Sequence, residues 1–543
     1  MNLDALTRAL APSEVAGARS VEISDLAYDT RRVNEGALFF CVSGQRVDGH
    51  ELAGEAVERG ASALVVERVL DLNLPQLVVP DSRAAMAVAA DVFFGEPTKN
   101  LEIAGVTGTN GKTTTVFLIR SMLEVAGRRP GLVGTVDWRV GGEQRPAPFT
   151  TPEAIDLQRL FAEMRDAGDR SVALEASSHG AALHRLDRVR FDALAFTNLS
   201  QDHLDLHGTM EEYFHAKRRL FTSAQPPPAA VNVNDPWGRR LADELSRAHR
   251  APLVTFGLDD GAEVRAEGLD LSADGSRFSS AGIAIETRLR GLFNVENVLA
   301  AVAVGLLLDL DEEAIARGVA VVDGVPGRLE PVDEGQAFSV LVDYAHTPDS
   351  LDTVLRAARG ITDGRVIVVF GAGGDRDRGK RPAMGKVAAG LADVVIVTSD
   401  NPRSEDPLAI IQDVLQGTGV DVEIDPDRRS AIQRAVRLAE AGDVVVIAGK
   451  IEPSPATRFS HSLPRPTRAG CGASDTGLVG RARVSASRTP GGPARRRNDH
   501  RDRGRLARDW TRRPLRRPEH GRPVRRRRAC ARGRDARSRR SAA

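Results

Sequence analysis

The stretch that most constrains this chain is Gly105-Val106-Thr107-Gly108-Thr109-Asn110-Gly111-Lys112-Thr113-Thr114-Thr115. An apolar run over residues 101–106 leads into it, and a helix-like segment over 116–125 leads out. Strand, glycine turn and helix start bring backbone N–H groups and the positive end of a helix dipole to one point, which suits a phosphate. Gly108 and Gly111 let the backbone approach the anion, with Thr109, Asn110 and Thr114 completing the loop. Lys112 can reach the terminal phosphates, and the Thr113 hydroxyl can hold Mg²⁺. The strict phosphate-loop pattern has glycine where Val106 stands, so the loop is a variant. A bound nucleoside triphosphate is the expectation.

A chain of 543 residues has room for about three or four domains. No apolar run approaches the ~20 residues needed to span a bilayer. Residues 1–12 lack the basic start and apolar core of a secretory signal. Cys41, Cys471 and Cys530 are scattered and fit neither a disulfide framework nor a zinc site. No membrane partner and a reducing cytoplasm are therefore expected. The net charge of +1 conceals a division: residues 451–543 hold 27 arginines, no lysine and 7 acidic residues, so the body is acidic.

Residues 1–98 read as a small α/β unit. Apolar runs at 37–42, 63–66 and 77–79 have strand length, and 51–59 and 82–94 suit helices. Residues 99–329 continue from the phosphate loop, with buried-strand candidates at 171–175, ending on Glu175, and at 191–196, followed by Asp202, His203 and Asp205. Ligands of parallel α/β sheets lie at the carboxyl ends of strands, so these polar clusters point to the rim that carries the phosphate loop. Asp202 or Asp205 could instead cap a helix, and His203 could be a core histidine. Glu175, His203 and Thr113 together suit Mg²⁺. Residues 330–450 alternate again: strands at 339–342, 365–370, 394–397 and 444–447, helices at 351–359, 384–391, 408–415 and 431–439. That predicts a second parallel sheet. After one of its strands stands Asp400-Asn401-Pro402-Arg403, whose guanidinium could grip a carboxylate through two N–H groups.

With these motifs assembled, the chain resembles the Mur ligase family, ATP-dependent amide-forming enzymes of peptidoglycan precursor synthesis, and within it the diaminopimelate-adding branch. The matching stretches run in family order over roughly residues 25–450. They include 107–114, Thr150-Thr151-Pro152, 175–179, 196–208, Ala216-Lys217, 291–297, 324–330, 342–349, 370–385 and 400–403. The resemblance implies an α/β protein of three domains: a uridine-nucleotide domain (1–98), a central ATPase (99–329) and a Rossmann-like amino-acid domain (330–450), here incomplete. It also implies an acyl-phosphate mechanism with ATP and Mg²⁺, and a monomer acting on small molecules. Lys112 then matches the phosphate lysine, and Thr113, Glu175 and His203 match Mg²⁺ ligands. Lys217 matches a lysine that is carbamylated in relatives. Asn297 would approach adenine and Asp343 the ribose. Thr30, Gln45 and Arg46 match uridine-nucleotide contacts, with Thr150, Thr151, Ser177 and Arg185 on the muramoyl-peptide side. Leu183 stands where some relatives have glutamine. Arg376, Asp400, Asn401, Pro402, Arg403 and Gly449 match the diaminopimelate site.

After Val444-Val445-Val446-Ile447-Ala448-Gly449-Lys450 the family continues Gly-His-Glu, whereas this chain continues Ile451-Glu452-Pro453. The remainder is rich in Arg, Pro, Gly and Ala without helical or strand period and reads as disordered chain. A frameshift near residues 450–455 of a GC-rich gene accounts for this. Two other readings remain: a precursor-binding remnant with impaired catalysis, and a nucleic-acid binder using the arginine-rich tail. Nucleic acid is not the expected partner, because a shifted GC-rich frame yields arginine without selection. Resequencing codons 450–455 is expected to reveal an inserted or deleted base; an intact frame contradicts the frameshift.

Overall fold

The computed structural model describes residues 1–17, 20–44, 47–272, 274–375 and 377–449. An amino-terminal sheet has the strand order Glu14–Ala16, Gln76–Val78, Ala61–Val66, Ala37–Phe40, Asp25–Ala27. Its first pair is antiparallel and the others are parallel. Helix Ser82–Phe93, capped by Asp81, covers one face. Tyr28 donates to Asp156 (2.6 Å) and Arg159 to Asp25 (2.9 Å), tying this unit to helix Ala154–Asp166.

The central sheet is built around β1 (Glu102–Thr107), which feeds the phosphate loop and α1 (Lys112–Val125). Beside it run β2 (Ser171–Glu175) and β3 (Ala193–Phe196). All three are almost wholly buried, as parallel strands covered on both faces should be. Glu175 pairs with Val106 and Phe196 with Thr107, so the three carboxyl ends finish at one level. Three more parallel strands and an antiparallel hairpin (Asp137–Val140, Glu143–Pro146) complete eight. Helix α2 (Met210–Arg218) carries Lys217. Helix α3 (Leu292–Leu307) is apolar on nearly all sides and packs into the core against α1. A three-stranded antiparallel sheet, Glu267–Ser272, Gly275–Ser280 and Ile283–Thr287, was not anticipated from the sequence. Its signal was there: Ile283, Ile285 and Thr287 are buried while Ala284 and Glu286 are exposed.

The third layer contains β4 (Ser339–Asp343), α4 (Pro348–Gly360), β5 (Val366–Phe370), α5 (Lys380–Leu391), β6 (Val394–Val397), α6 (Arg428–Leu438) and β7 (Val444–Ala448). Strand order is Glu330–Pro331, β4, β7, β5, β6, Glu423–Ile424. Thr347 and Ser350 form a capping box at the start of α4. Helix α5 begins four residues earlier than its apolar pattern predicts, because Arg381 is buried against Glu405 and Asp413. Strand β7 lies mid-sheet with every residue buried, and Gly449 follows it. The departure at Ile451 thus comes just behind a central strand, and the disorder expected for 451–543 lies outside the described residues. Among the described residues no helix is long and apolar enough to cross a membrane.

Strands β5 and β7 are joined at their starts by Asp443, which accepts from the Arg365 backbone N–H (2.9 Å), Arg365 Nη2 (2.7 Å) and the Glu440 N–H (2.8 Å). The Arg365 guanidinium leads these donors in holding the Asp443 carboxyl down, from 3.8 to about 2. A depressed carboxylate contributes stability that is complete above its unfolded value and is lost as pH falls through the folded one. In denaturant titrations the parent is therefore expected to lose more stability than Asp443→Asn between about pH 4 and 2. Parallel pH curves for the two proteins contradict this.

Candidate active site

The phosphate loop is held open by contacts that exclude side chains at two positions. Gly108 has φ 149° and Gly111 φ 85°. A Cβ on Gly108 would lie 1.9 Å from Thr197 Oγ1, and one on Gly111 2.3 Å from Asn297 Oδ1. The chain beyond β3 ties the loop down: Asn198 accepts from the N–H groups of Asn110 (2.9 Å, to Oδ1) and Thr109 (2.9 Å, to its carbonyl). Thr197 donates to the Asn110 carbonyl (2.6 Å).

Two lysines meet at this loop. Lys112 Nζ donates to the carbonyls of Gly108 (3.1 Å) and Thr109 (2.8 Å). Lys217 Nζ donates to the same Gly108 carbonyl (2.7 Å) and lies 4.8 Å from the centre of the Tyr213 ring. Lys217 is 1% exposed. Burial first, and then the Lys112 charge, push its amine well below the ordinary lysine range. Burial also lowers Lys112, but Glu175 opposes the shift. Of the two amines Lys217 is thus the more easily deprotonated.

Around the loop opens a cleft of about 410 Å³. From the central sheet it takes Gly108 to Thr113, Thr150, Thr151, Glu175, Ser177, Arg185, His203 and Lys217; from the third sheet, Asp400, Asn401 and Arg403. Glu175 is fixed at the end of β2 by the Thr135 N–H (2.8 Å) and hydroxyl (3.1 Å). Thr151 donates to the Glu175 carbonyl (2.7 Å), and Arg185 donates to the Thr151 carbonyl (2.8 Å) and pairs with Glu153 (2.6 Å). Ser177 caps the next helix, accepting from the Gly180 N–H. His203 has φ 54° and sits edge-on to His179 at 4.6 Å. Burial drives its imidazole down to about 2, so it is neutral. Among the described residues no three His, Cys, Asp or Glu side chains converge to hold a metal.

A second cavity of about 420 Å³ adjoins the other side of the loop. Asn110, Gly111, Thr113, Thr114, Asn297 and Asp343 line it, with Phe256 and Phe293 as aromatic walls. Asn297 donates to Asn294 (3.0 Å). Asp343 accepts from the N–H groups of Leu329 and Ala345 (2.8 Å each), and burial raises its pKa.

Some expected site residues lie apart. Thr30 is buried at the start of the 3-10 helix Thr30–Arg32 and lines neither cavity. Gln45, Arg46 and Arg376 fall outside the described residues. Pro402 packs its carbonyl on Gly374, and Gly449 (φ 120°) leaves its Cβ position 3.2 Å from Asp400 Oδ1. The sequence reading assigned no site role to Arg328, whose Nη2 donates to the Thr113 hydroxyl (2.9 Å). It likewise passed over Thr135, His346 and Lys380, all in the cleft wall. Asp202 is no helix cap: its carboxylate lies 3.3 Å from His203, 3.8 Å from His346 and 3.5 Å from Lys380. The contacts with His346 and Lys380 join residues distant in sequence, so local pattern could not reveal them.

Comparison with known proteins agrees with this geometry. Residues 22–94 match a model of the Mur ligase family, catalytic domain; 106–305 match the Mur ligase middle domain; 327–451 match the Mur ligase, glutamate ligase domain. The UDP-N-acetylmuramoyl-L-alanyl-D-glutamate–2,6-diaminopimelate ligase of Geobacillus thermodenitrificans is 48% identical over 444 residues, 79% of this chain and 90% of that protein. The ligase of the same name from Solibacter usitatus is 46% identical over 458 residues, 82% and 91% of the two chains. A solved structure of such a ligase matches with TM-score 0.60 at 33% identity, covering 83% of this chain and 93% of its own. A MurF ligase from Thermotoga maritima in complex with ADP shares the fold at 21% identity, TM-score 0.56, over 81% and 96% of the chains. The chain belongs to the Mur ligase family.

Proposed function

We propose that the chain adds meso-diaminopimelate to UDP-N-acetylmuramoyl-L-alanyl-D-glutamate through an acyl phosphate made with ATP. The chain is a ligase of the acid–amino acid type, the class of its family. The observation that carries the substrate assignment is the shared cleft: Lys112 of the phosphate loop and Arg403 of the Asn-Pro-Arg turn line one cavity. The names of relatives at 48% and 46% identity support the same choice.

Adenine suits the cavity walled by Phe256, Phe293 and Asn297, with Asp343 toward the ribose. The phosphates then extend along the loop, where Lys112 and backbone N–H groups stabilise charge on the γ-phosphoryl group. The precursor's carboxylate approaches from the side of Thr150, Thr151, Ser177 and Arg185, with the uridine end toward Thr30, Gln45 and Arg46. The few donors present, Thr113, Glu175 and His203, fit a cation that takes few protein ligands. Bound there, Mg²⁺ would neutralise charge on the triphosphate. Lys217, the more easily deprotonated of the two amines, is poised to add CO₂: its lone pair forms the N–C bond, an amine proton passes to water, and the carbamate is anionic. Arg403, with Arg376, Asp400, Asn401, Pro402 and Gly449, binds the free amino-acid end of diaminopimelate. The working state is a cytoplasmic monomer.

A second reading rests on the departure at Ile451, one residue past Lys450: precursor and ATP still bind, but amide formation fails. Purified chain supplied with ATP, Mg²⁺ and the UDP-muramoyl-dipeptide is expected to release ADP when diaminopimelate is present. Lysine should support at least about tenfold less, because Arg403 is left without its carboxylate. ATP binding without diaminopimelate-dependent ADP release favours the second reading; equal rates with lysine refute the assigned amine. Replacing Arg403 by Lys loses the two-pronged grip. It should raise the apparent KM for diaminopimelate about tenfold or more while leaving that for ATP unchanged. A shift in both constants would contradict this role.

A further inference from the structure

We propose that Lys380 is a further catalytic residue, whose ammonium holds the phosphoryl group of the acyl phosphate while the incoming amine displaces it. The assignment rests on the ligase reading above. Lys380 opens α5 on the third sheet, yet its side chain is only 7% exposed and lies in the cleft with Lys112, Thr150 and Arg403. A buried ammonium needs a partner. The nearest carboxylate is Asp202 Oδ1, 3.5 Å away in the central layer. The same carboxylate also faces His203 (3.3 Å) and His346 (3.8 Å). Because Oδ1 also accepts from the His203 backbone N–H (2.9 Å), one anion serves four nitrogen groups, and the three side chains all stand farther off than the ~2.8 Å of a close charged hydrogen bond. Lys380 is held loosely enough to turn to a better anion.

Its base, by contrast, is rigid. The neighbouring Arg381 is fully buried, with Nη1 on Glu405 (3.0 Å) and Asp413 (2.8 Å) and Nη2 on Glu405 (2.7 Å) and the Gly373 carbonyl (3.2 Å). Lys112 and Lys217 are engaged with loop carbonyls and Arg328 with Thr113. Lys380 instead enters from the sheet that carries Arg403, on the side from which the amine arrives. In that step the amine lone pair forms the C–N bond and the C–O bond to the phosphoryl group breaks. The electron pair stays on the departing phosphate, and the surplus amine proton passes to water. Negative charge grows on the phosphate, where a cation in contact lowers the barrier.

The test separates the two halves of the reaction in full-length protein. Acyl phosphate formed from ATP, Mg²⁺ and the UDP-muramoyl-dipeptide is trapped by borohydride reduction. Its capture by hydroxylamine, which needs no amino-acid site, is timed as hydroxamate. Lys380→Met should trap acyl phosphate within about threefold of the parent, yet slow hydroxamate formation about a hundredfold, with Lys380→Arg recovering most of the rate. Capture within about threefold of the parent in Lys380→Met overturns the proposal. So does loss of acyl phosphate in that variant with ATP binding intact. If the unsubstituted chain traps no acyl phosphate, the ligase reading fails first, and with it this role.

Discussion

The carbonyl of Gly108 accepts hydrogen bonds from two lysine amines, and the rest of the site depends on how that crowding is resolved. Two ammonium groups sharing one carbonyl in a water-poor cleft repel each other strongly. Lys112 has Glu175 to balance it, whereas Lys217 is buried deeper and weakly countered. Deprotonated, Lys217 is a nucleophile toward CO₂, and the carbamate proposed above, formed with loss of a proton, would place an anion where a second ammonium would repel Lys112. On the function proposed above, the carbamate would give the pocket a negative group to match the cation that accompanies the nucleotide.

The second requirement is that two sheets present their rims to each other. Asp349 in the first turn of α4 accepts from Asn110 in the phosphate loop (2.6 Å) and from Ser200 (2.9 Å). Arg328 reaches Thr113 from the connection between the layers. The cleft they enclose gathers Lys112, Arg328, Arg185, Lys380 and Arg403 against Glu175, Asp202 and Asp400. That surplus of positive charge favours polyanions and focuses their approach. The departure from family sequence after Lys450 follows β7 and Gly449, whose Cβ position lies 3.2 Å from Asp400 Oδ1 in the cleft lining.

Much of this was legible from sequence because the fold repeats a simple unit. Runs such as 171–175 and 394–397 are short, apolar and flanked by polar turns, and the strands fall on them residue for residue. Glu175, His203 and Arg403 stand at strand ends, where parallel sheets place ligands, so they could be picked out before any coordinates. The strand Asp137–Val140 and the strands Glu267–Ser272, Gly275–Ser280 and Ile283–Thr287 escaped notice because charged and small polar residues interrupt their apolar positions. Arg328 and Lys380 escaped for a different reason. Their importance lies in partners more than a hundred positions away, as with Arg328 and Thr113. Nor can a sequence show that two lysines share a carbonyl.

The state of Lys217 tests the account most directly. The protein, equilibrated with ¹³C-bicarbonate, should give a ¹³C NMR carbamate signal that disappears in Lys217→Arg and fades when CO₂ is removed. No such signal, or one that persists in Lys217→Arg, would mean that the crowded carbonyl does not set the charge of this site.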